Sequence, residues 1–250
     1  MKIDFRGKTA LVTGATGGIG KQIADDLASL GADLILTSSN KEQVAALSKE
    51  VNRAGNVSKK WILVDFLNKE SRHAFLDEIA TIEKIDICIN SAGINRINYI
   101  DETLLDDWHD ITAVNLEAPF LITRAISRIM KANGYGRIVN IASIWGVISK
   151  AKRSIYTTTK FGLRGLTTTS AIELAPYNIL VNSVSPGFVL TELTKRILTE
   201  EEMTQLASQV PIGRFAEPEE ISRVVLFLAS SLNTYLTGQN IIVDGGFVDV

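Results

Sequence analysis

Hydrophobic residues gather in seven short, mostly β-branched runs: residues 9–13 (TALVT), 33–37 (DLILT), 61–64 (WILV), 85–89 (IDICI), 137–141 (RIVNI), 180–184 (LVNSV) and 240–243 (NIIV). Most are apolar at successive positions rather than at every second one. Strands buried on both faces, as in parallel sheets, read this way. Between the runs, apolar residues recur at helical spacing over 19–30, 41–54, 69–80, 106–132, 154–174 and 218–230. Pro218, ahead of two glutamates and an apolar run, is a good helix start. Regular alternation of β and α predicts a single α/β domain with a doubly wound parallel sheet and helices on both faces. Ligands of such sheets bind beyond the carboxyl ends of the strands, so the residues just after each run are the candidates for chemistry.

One segment breaks the rhythm. Residues 187–210 (GFVLTELTKRILTEEEMTQLASQV) follow the sixth strand and are long and mixed. An insert at a strand's carboxyl end is a candidate substrate lid; the alternative is a pair of surface helices with no special motion. No internal repeat, low-complexity tract or linker is present, so the 250 residues are expected to form one domain.

Composition narrows the classes. The net charge of −2 gives no basic surplus for nucleic acid or an anionic membrane. Two histidines are too few for a rich metal site, and no metal is expected. A single cysteine, Cys88, excludes an internal disulfide and fits a reducing, cytoplasmic location. No run approaches the ~18 apolar residues of a membrane span. The opening MKIDFRGKTALVTG enters a strand directly, without the pattern of a signal peptide.

The first run leads into Thr13-Gly14-Ala15-Thr16-Gly17-Gly18-Ile19-Gly20, and a helix follows. Glycines allow a tight turn and close approach of backbone N–H groups to a pyrophosphate, and the helix N-terminus adds a favourable dipole. A glycine cluster alone is equally a structural turn. Its place between the first strand and the first helix favours a dinucleotide and a Rossmann-type sheet of about seven strands. Gly14, Thr16, Gly18, Ile19 and Gly20 are then cofactor-binding. An acidic residue ending the second strand would select NAD(H). That strand ends Thr37-Ser38-Ser39-Asn40-Lys41, with Asp33 at the wrong end. Ser38, Ser39 and the charge of Lys41 can receive a 2′-phosphate, so NADP(H) is favoured over NAD(H).

Tyr156 and Lys160 are four apart on a predicted helix, so phenol and ammonium share a face. A nearby cation favours phenolate and lowers a tyrosine pKa from its reference of about 10, which makes it a usable acid/base. Alone, such a pair is usually a solvated face. Here Ser143 follows the fifth run, Asn90-Ser91-Ala92-Gly93 follows the fourth, and Asn115 lies in a helical stretch between them.

Taken in order, these motifs resemble the classical short-chain dehydrogenase/reductases. The resemblance runs from about residue 5 to residue 247: TGATGGIG at 13–20, Asp65 after the third strand, NSAG at 90–93, Asn115, Ser143, the Y-x-x-x-K of Tyr156 and Lys160, Pro186-Gly187, and NIIVDGG at 240–246. It implies an NAD(P)-dependent enzyme moving a hydride between nicotinamide and a carbonyl or secondary alcohol. Tyr156 would be the general acid or base, and Ser143 would bond the substrate oxygen. Lys160 would bond the nicotinamide ribose and lower the Tyr156 pKa, and Asn115 would hold a water in a relay behind Lys160. Asp65 would bind the adenine amino group. Asn90, Ala92, Gly93, Pro186, Gly187 and Thr191 would complete the cofactor site, Thr191 at the carboxamide. The implied assembly is a homotetramer, or a homodimer, through the long helices 106–132 and 154–174 and the last strands.

The substrate is less determined. The opening, the Pro-Gly-Phe turn and VPIGRFAEPEEI at 210–221 look like 3-oxoacyl-[acyl-carrier-protein] reductases, yet relatives acting on sugars, steroids and polyols share them. Where the acyl reductases dock their acidic carrier with basic residues, this chain carries Gly134 and Tyr177, and Lys131, Lys150, Lys152 and Arg153 are the alternative basic residues for such docking. A small-molecule partner, a 3-oxoacyl or sugar derivative, is expected. Rival readings are an epimerase or dehydratase that uses the nicotinamide transiently, and a cofactor-binding partner protein without catalysis. Trp145, two residues past Ser143, is expected to line the pocket, with Phe188 and Ile94. Cys88 is expected to be a buried thiol, Trp61 core, and His73 and His109 surface.

Overall fold

β1 (Thr9–Val12) lies inside a sheet ordered β3-β2-β1-β4-β5-β6-β7, in which every neighbouring pair is parallel. The other strands are β2 (Asp33–Ser38), β3 (Lys59–Leu63), β4 (Ile87–Asn90), β5 (Gly136–Ile141), β6 (Ile179–Pro186) and β7 (Asn240–Val243). The structure, a computed structural model, describes residues 2–49 and 57–249. All seven expected strands are present, with shifted ends. The strand expected over 85–89 ends at Asn90, and β6 extends to Pro186.

The apolar runs are continuous because successive side chains enter two different cores. Ala10 and Val12 face a layer with Ile23 and Leu27 of α1 (Gly18–Ser29) and Ile221 and Val225 of α9 (Pro218–Ala229). Leu11, between them, faces the opposite layer. There it joins Phe75 of α3 (Lys69–Ala80), Ile122 and Ile126 of α5 (Ala118–Asn133) and Leu174 of α6 (Ser154–Leu174). Strands β4, β5 and β6 are buried along their whole length.

The chain winds outward from β1 to β3, then returns across to β4. Between β1 and β4 the winding reverses, and at such a point the connecting loops part and leave a crevice. Three segments depart from expectation. α2 spans Lys41–Leu47, and residues 50–54 of the helix expected over 41–54 lie outside the described part. The helix expected over 106–132 is α4 (Leu105–Thr112) and α5 joined by a π-helical turn over Ala113–Glu117. Such turns widen a helix by one residue and occur often at functional sites. The insert at 187–210 folds as α7 (Glu192–Ile197) and α8 (Glu200–Ala207). Its root is held by a parallel bridge from Val189 to Ala216.

Candidate active site

The loop after β1 is shaped by close backbone approaches. Gly14 has φ 65°, and a Cβ there would stand 2.9 Å from the Ala92 Cα. A Cβ at Gly20 would strike the Gly14 carbonyl oxygen. The Thr13 hydroxyl accepts the N–H groups of Ser91 and Ala92 at 3.0 and 3.1 Å, tying the loops after β1 and β4 together. No side chain caps the N-terminus of α1, and the space beside Gly17 is open. Uncapped N–H groups at the positive end of a twelve-residue helix fit a dinucleotide pyrophosphate. The Thr191 methyl lies 3.3 Å from where a Gly18 Cβ would be, so the first turn of the insert reaches this loop. Gly187 donates its N–H to Val243 at 2.9 Å, which anchors the Pro186-Gly187 turn to the edge strand.

At the carboxyl end of β2 the two serines differ. Ser38 is buried, its hydroxyl 3.1 Å from that of Thr16 and accepting the Asn40 N–H at 3.1 Å. It is a structural brace of the glycine loop. Ser39 and Lys41 are exposed. Asp33, at the far end, takes the N–H and hydroxyl of Ser58. Asp65, just past β3, accepts the Leu67 N–H at 2.9 Å.

On the other side of the switch point, Lys160 of α6 is only 4% exposed and its Nζ donates to the Ile141 carbonyl at 2.8 Å. The Tyr156 ring centroid lies 5.5 Å from that Nζ. A Cβ on Gly93 would be 3.5 Å from Asn115 Oδ1 and 3.7 Å from Lys160 Nζ, so the three residues converge. Asn115 sits in the π-helical turn, buried, with its amide bonded to both backbone groups of Ile94 and to Thr159. Thr159 in turn donates to the Tyr156 carbonyl at 2.8 Å. Ser143 caps a short 3₁₀ turn, its hydroxyl accepting the Trp145 N–H at 3.2 Å.

Burial raises the Tyr156 phenol above its ordinary range, opposed in part by the Ser143 hydroxyl and then by the Arg153 guanidinium. Burial also lowers Lys160 to about 8. The expectation that Lys160 pulls the phenol down is therefore corrected. Desolvation disfavours charge on both groups, and the ammonium is turned to a backbone carbonyl.

The pocket aromatics form a chain. Trp145 meets Phe247 edge to face, with centroids 6.3 Å apart. Phe188 meets Phe247 at 5.1 Å and stacks on Phe215 at 5.3 Å. Trp145 is mostly enclosed by this packing, and Phe188 and Ile94 are half-buried. Asn90 donates to Asn140 at 2.8 Å and Asn140 to Thr167 at 2.9 Å, a buried polar line from β4 through β5 to α6. Cys88 is buried, which pushes its thiol up, and His73 and His109 are exposed. Trp61 packs, partly buried, against the first core layer. Among the described residues no cluster of metal-ligating side chains exists and no helix is long and apolar enough to cross a membrane.

Sequence reasoning placed none of Asn140, Thr159, Arg153 and Phe247 at the site, taking Arg153 as a basic residue for docking and Phe247 as part of an apolar interface. Of these only Thr159 carried a signal, since it lies inside the Tyr/Lys motif.

An α/β sheet with an open helix N-terminus at its switch point, and a half-buried phenol and a buried ammonium beside it, belongs to the class of nicotinamide-dependent oxidoreductases. The profile of a family described as enoyl-(acyl carrier protein) reductase matches residues 14–248. The chain is 42% identical to the 3-oxoacyl-[acyl-carrier-protein] reductase of Aquifex aeolicus, covering 98% of this chain and 99% of that one. It is 36% identical to the Escherichia coli protein of the same name, covering 98% of each. A gluconate 5-dehydrogenase from Burkholderia cenocepacia, solved in complex with NADP and tartrate, superposes with a TM-score of 0.90 at 32% identity, covering 99% of this chain and 97% of that one. The chain belongs to the short-chain dehydrogenase/reductase family. It is an NAD(P)-dependent oxidoreductase acting on the C=O/CH–OH pair.

Proposed function

We propose that this enzyme reduces the carbonyl of a small to medium polar substrate, a 3-oxoacyl or sugar derivative, with NADPH as donor. The observation that carries the reading is the half-buried Tyr156 phenol, with the Lys160 ammonium 5.5 Å from its ring centre and the Ser143 hydroxyl acting on it. A general acid must hold its proton until the transition state.

The glycine loop and the N-terminus of α1 hold the pyrophosphate. Asp65, Asn90, Ala92 and Gly93 line the adenosine and ribose side, and Pro186, Gly187 and Thr191 border the nicotinamide. When bound, the nicotinamide supplies the hydride. Ser143 donates a hydrogen bond to the substrate oxygen, and Tyr156 delivers a proton to that oxygen as charge develops. Lys160, whose Nζ is held by the Ile141 carbonyl, would bond the nicotinamide ribose. Asn115 fixes Ile94 and Thr159 around this pair and holds the relay water. The NADP(H) preference rests on exposed Ser39 and Lys41 and on the absence of a carboxylate at the end of β2.

The relatives' names include carrier-bound acyl and free sugar-acid substrates. The uncharged Gly134 and Tyr177 favour a free substrate over a docked carrier. The insert carrying α7 and α8 acts as the lid. A homotetramer or homodimer is supported by exposed apolar residues on the long helices, Leu105, Trp108, Phe120, Phe161 and Ile172, and by Tyr235 and Ile242 near the edge strand. The enclosed lone thiol fits a cytoplasmic setting.

Tyr156→Phe tests the mechanism. It should keep NADPH binding and lose turnover by about a hundredfold or more, the range of a lost general acid. Turnover within tenfold of the parent would sink the mechanism. Substrate conversion without net cofactor oxidation would instead reveal an epimerase or dehydratase.

A further inference from the structure

We infer that Arg153 is the seat for an anionic group, a carboxylate or a phosphate, carried by the substrate a few bonds from its reacting carbon. The inference rests on the reductase reading and adds a substrate class to it.

Arg153 precedes α6 by one residue and stands three before Tyr156. Arg153 is the residue ahead of the first turn of α6 and Tyr156 lies in that turn, so guanidinium and phenol leave the same end of the helix. Its carbon lies 5.9 Å from the centre of the Trp145 ring, two residues past Ser143. The guanidinium is thus bracketed by the neighbours of both residues that meet the substrate oxygen. Charge and phenol influence each other across this gap.

The position is costly without a ligand. Arg153 is half-buried, yet among the described residues it makes no ion pair and its guanidinium no hydrogen bond. It also occupies the wrong end of a helix. The N-terminus of α6, a 21-residue helix, carries positive potential and has no side-chain cap. Lys150 and Lys152 add charge within three residues, and among the described residues neither is ion-paired. Lys152 is held with φ 68°, its Nζ 4.3 Å from the Tyr99 ring. Arg153, half-buried at a positive helix end with two exposed lysines near it in the chain, gives up part of its hydration with no anionic partner among the described residues. An arriving anion reverses each of these terms: it pairs with the planar guanidinium, meets the open N–H groups of α6 and is steered by the lysines.

Geometry selects among substrates. An anion bound here sits beside the phenol, within a few bonds of the carbonyl being reduced. A short oxo acid or a small ketose phosphate satisfies this. A carrier-bound acyl chain does not, because its thioester is neutral and its phosphate lies a long flexible arm away.

The test compares charged and neutral partners of one carbonyl. Acetoacetate is set against methyl acetoacetate, and dihydroxyacetone phosphate against dihydroxyacetone, with NADPH, for the parent and Arg153→Gln. In the arm that matches the natural anion, the parent should favour the charged compound at least tenfold in kcat/KM, and R153Q should lower that ratio at least tenfold. Discrimination in the first arm identifies a carboxylate, in the second a phosphate. A ratio unchanged by R153Q in both arms overturns the assignment and leaves the reductase reading standing. If the parent binds NADPH but reduces no carbonyl, neutral butane-2,3-dione included, the reductase reading fails instead. The anion seat is then judged by calorimetric titration of acetoacetate and of phosphate into the NADPH-bound protein. R153Q must weaken one of them at least tenfold, or the seat falls too.

Discussion

The side-chain amide of Asn115 grips Ile94 at both of its backbone groups, accepting the N–H at 2.8 Å and donating to the carbonyl at 2.9 Å. One side chain thus acts as a strand partner for the loop after β4. The π-helical turn aims that amide outward from the helix, toward a segment 21 residues earlier in the chain. Through Thr159 the same amide reaches the backbone of Tyr156.

Asn115→Ala removes this grip and leaves two backbone groups short of partners. Each unsatisfied buried group costs roughly 1–3 kcal/mol, so a loss of about 2–3 kcal/mol is expected after partial rescue by water. Urea unfolding measures it directly. A loss under about 0.5 kcal/mol, the scale of a neutral surface change, would show that the loop holds itself.

The buried lysine predicts a pH signature in activity. Lys160 falls from 10.5 to about 8, while Tyr156 lies above its ordinary range. Reduction needs the phenol protonated and the ammonium charged, so kcat/KM for reduction should fall as pH rises through about 8. A flat profile up to pH 10 would place the ammonium in a more polar setting than its burial indicates.

Stability should respond to the same group in the opposite sense. The folded pKa is lowered, so between about 8 and 10.5 the unfolded chain binds more protons than the folded one. Unfolding free energy therefore gains from this group as pH rises through that window. Lys160→Met should flatten that contribution, seen by comparing urea midpoints of both proteins at each pH.

Glycine is required at two points of the first loop. Gly14→Ala would place a methyl against the Ala92 backbone at a left-handed φ, a strain of about 1–3 kcal/mol. Gly20→Ala would push α1 away from the Gly14 carbonyl. Both should weaken NADPH binding by tenfold or more. Gly17→Ala, beside open space, should cost less in stability than either, so thermal melts of the three variants rank the positions.

Cofactor choice is expected to turn on Lys41 and Ser39, not on Ser38. Lys41→Glu should lower the NADPH-to-NADH affinity ratio at least tenfold in a fluorescence titration. Ser38→Ala should instead loosen the glycine loop and weaken both cofactors alike, because its hydroxyl braces Thr16 and Asn40.

From the chain alone follow the seven strands, their parallel winding and the motif residues at their carboxyl ends. These are local properties: two-sided apolar runs such as ICIN of β4, a glycine loop between strand and helix, a phenol and an ammonium one helical turn apart. Tertiary structure alone decided the rest. It turned Ser38 inward, placed the π-helical turn at Asn115, joined Asn90 to Asn140 and Thr167, and set Arg153, without an ion pair among the described residues, over the Trp145 ring. It also reversed the sense of the Tyr156 shift. Sequence spacing shows which cation is near a phenol, but desolvation depends on every segment that closes over it, and those segments come from distant parts of the chain.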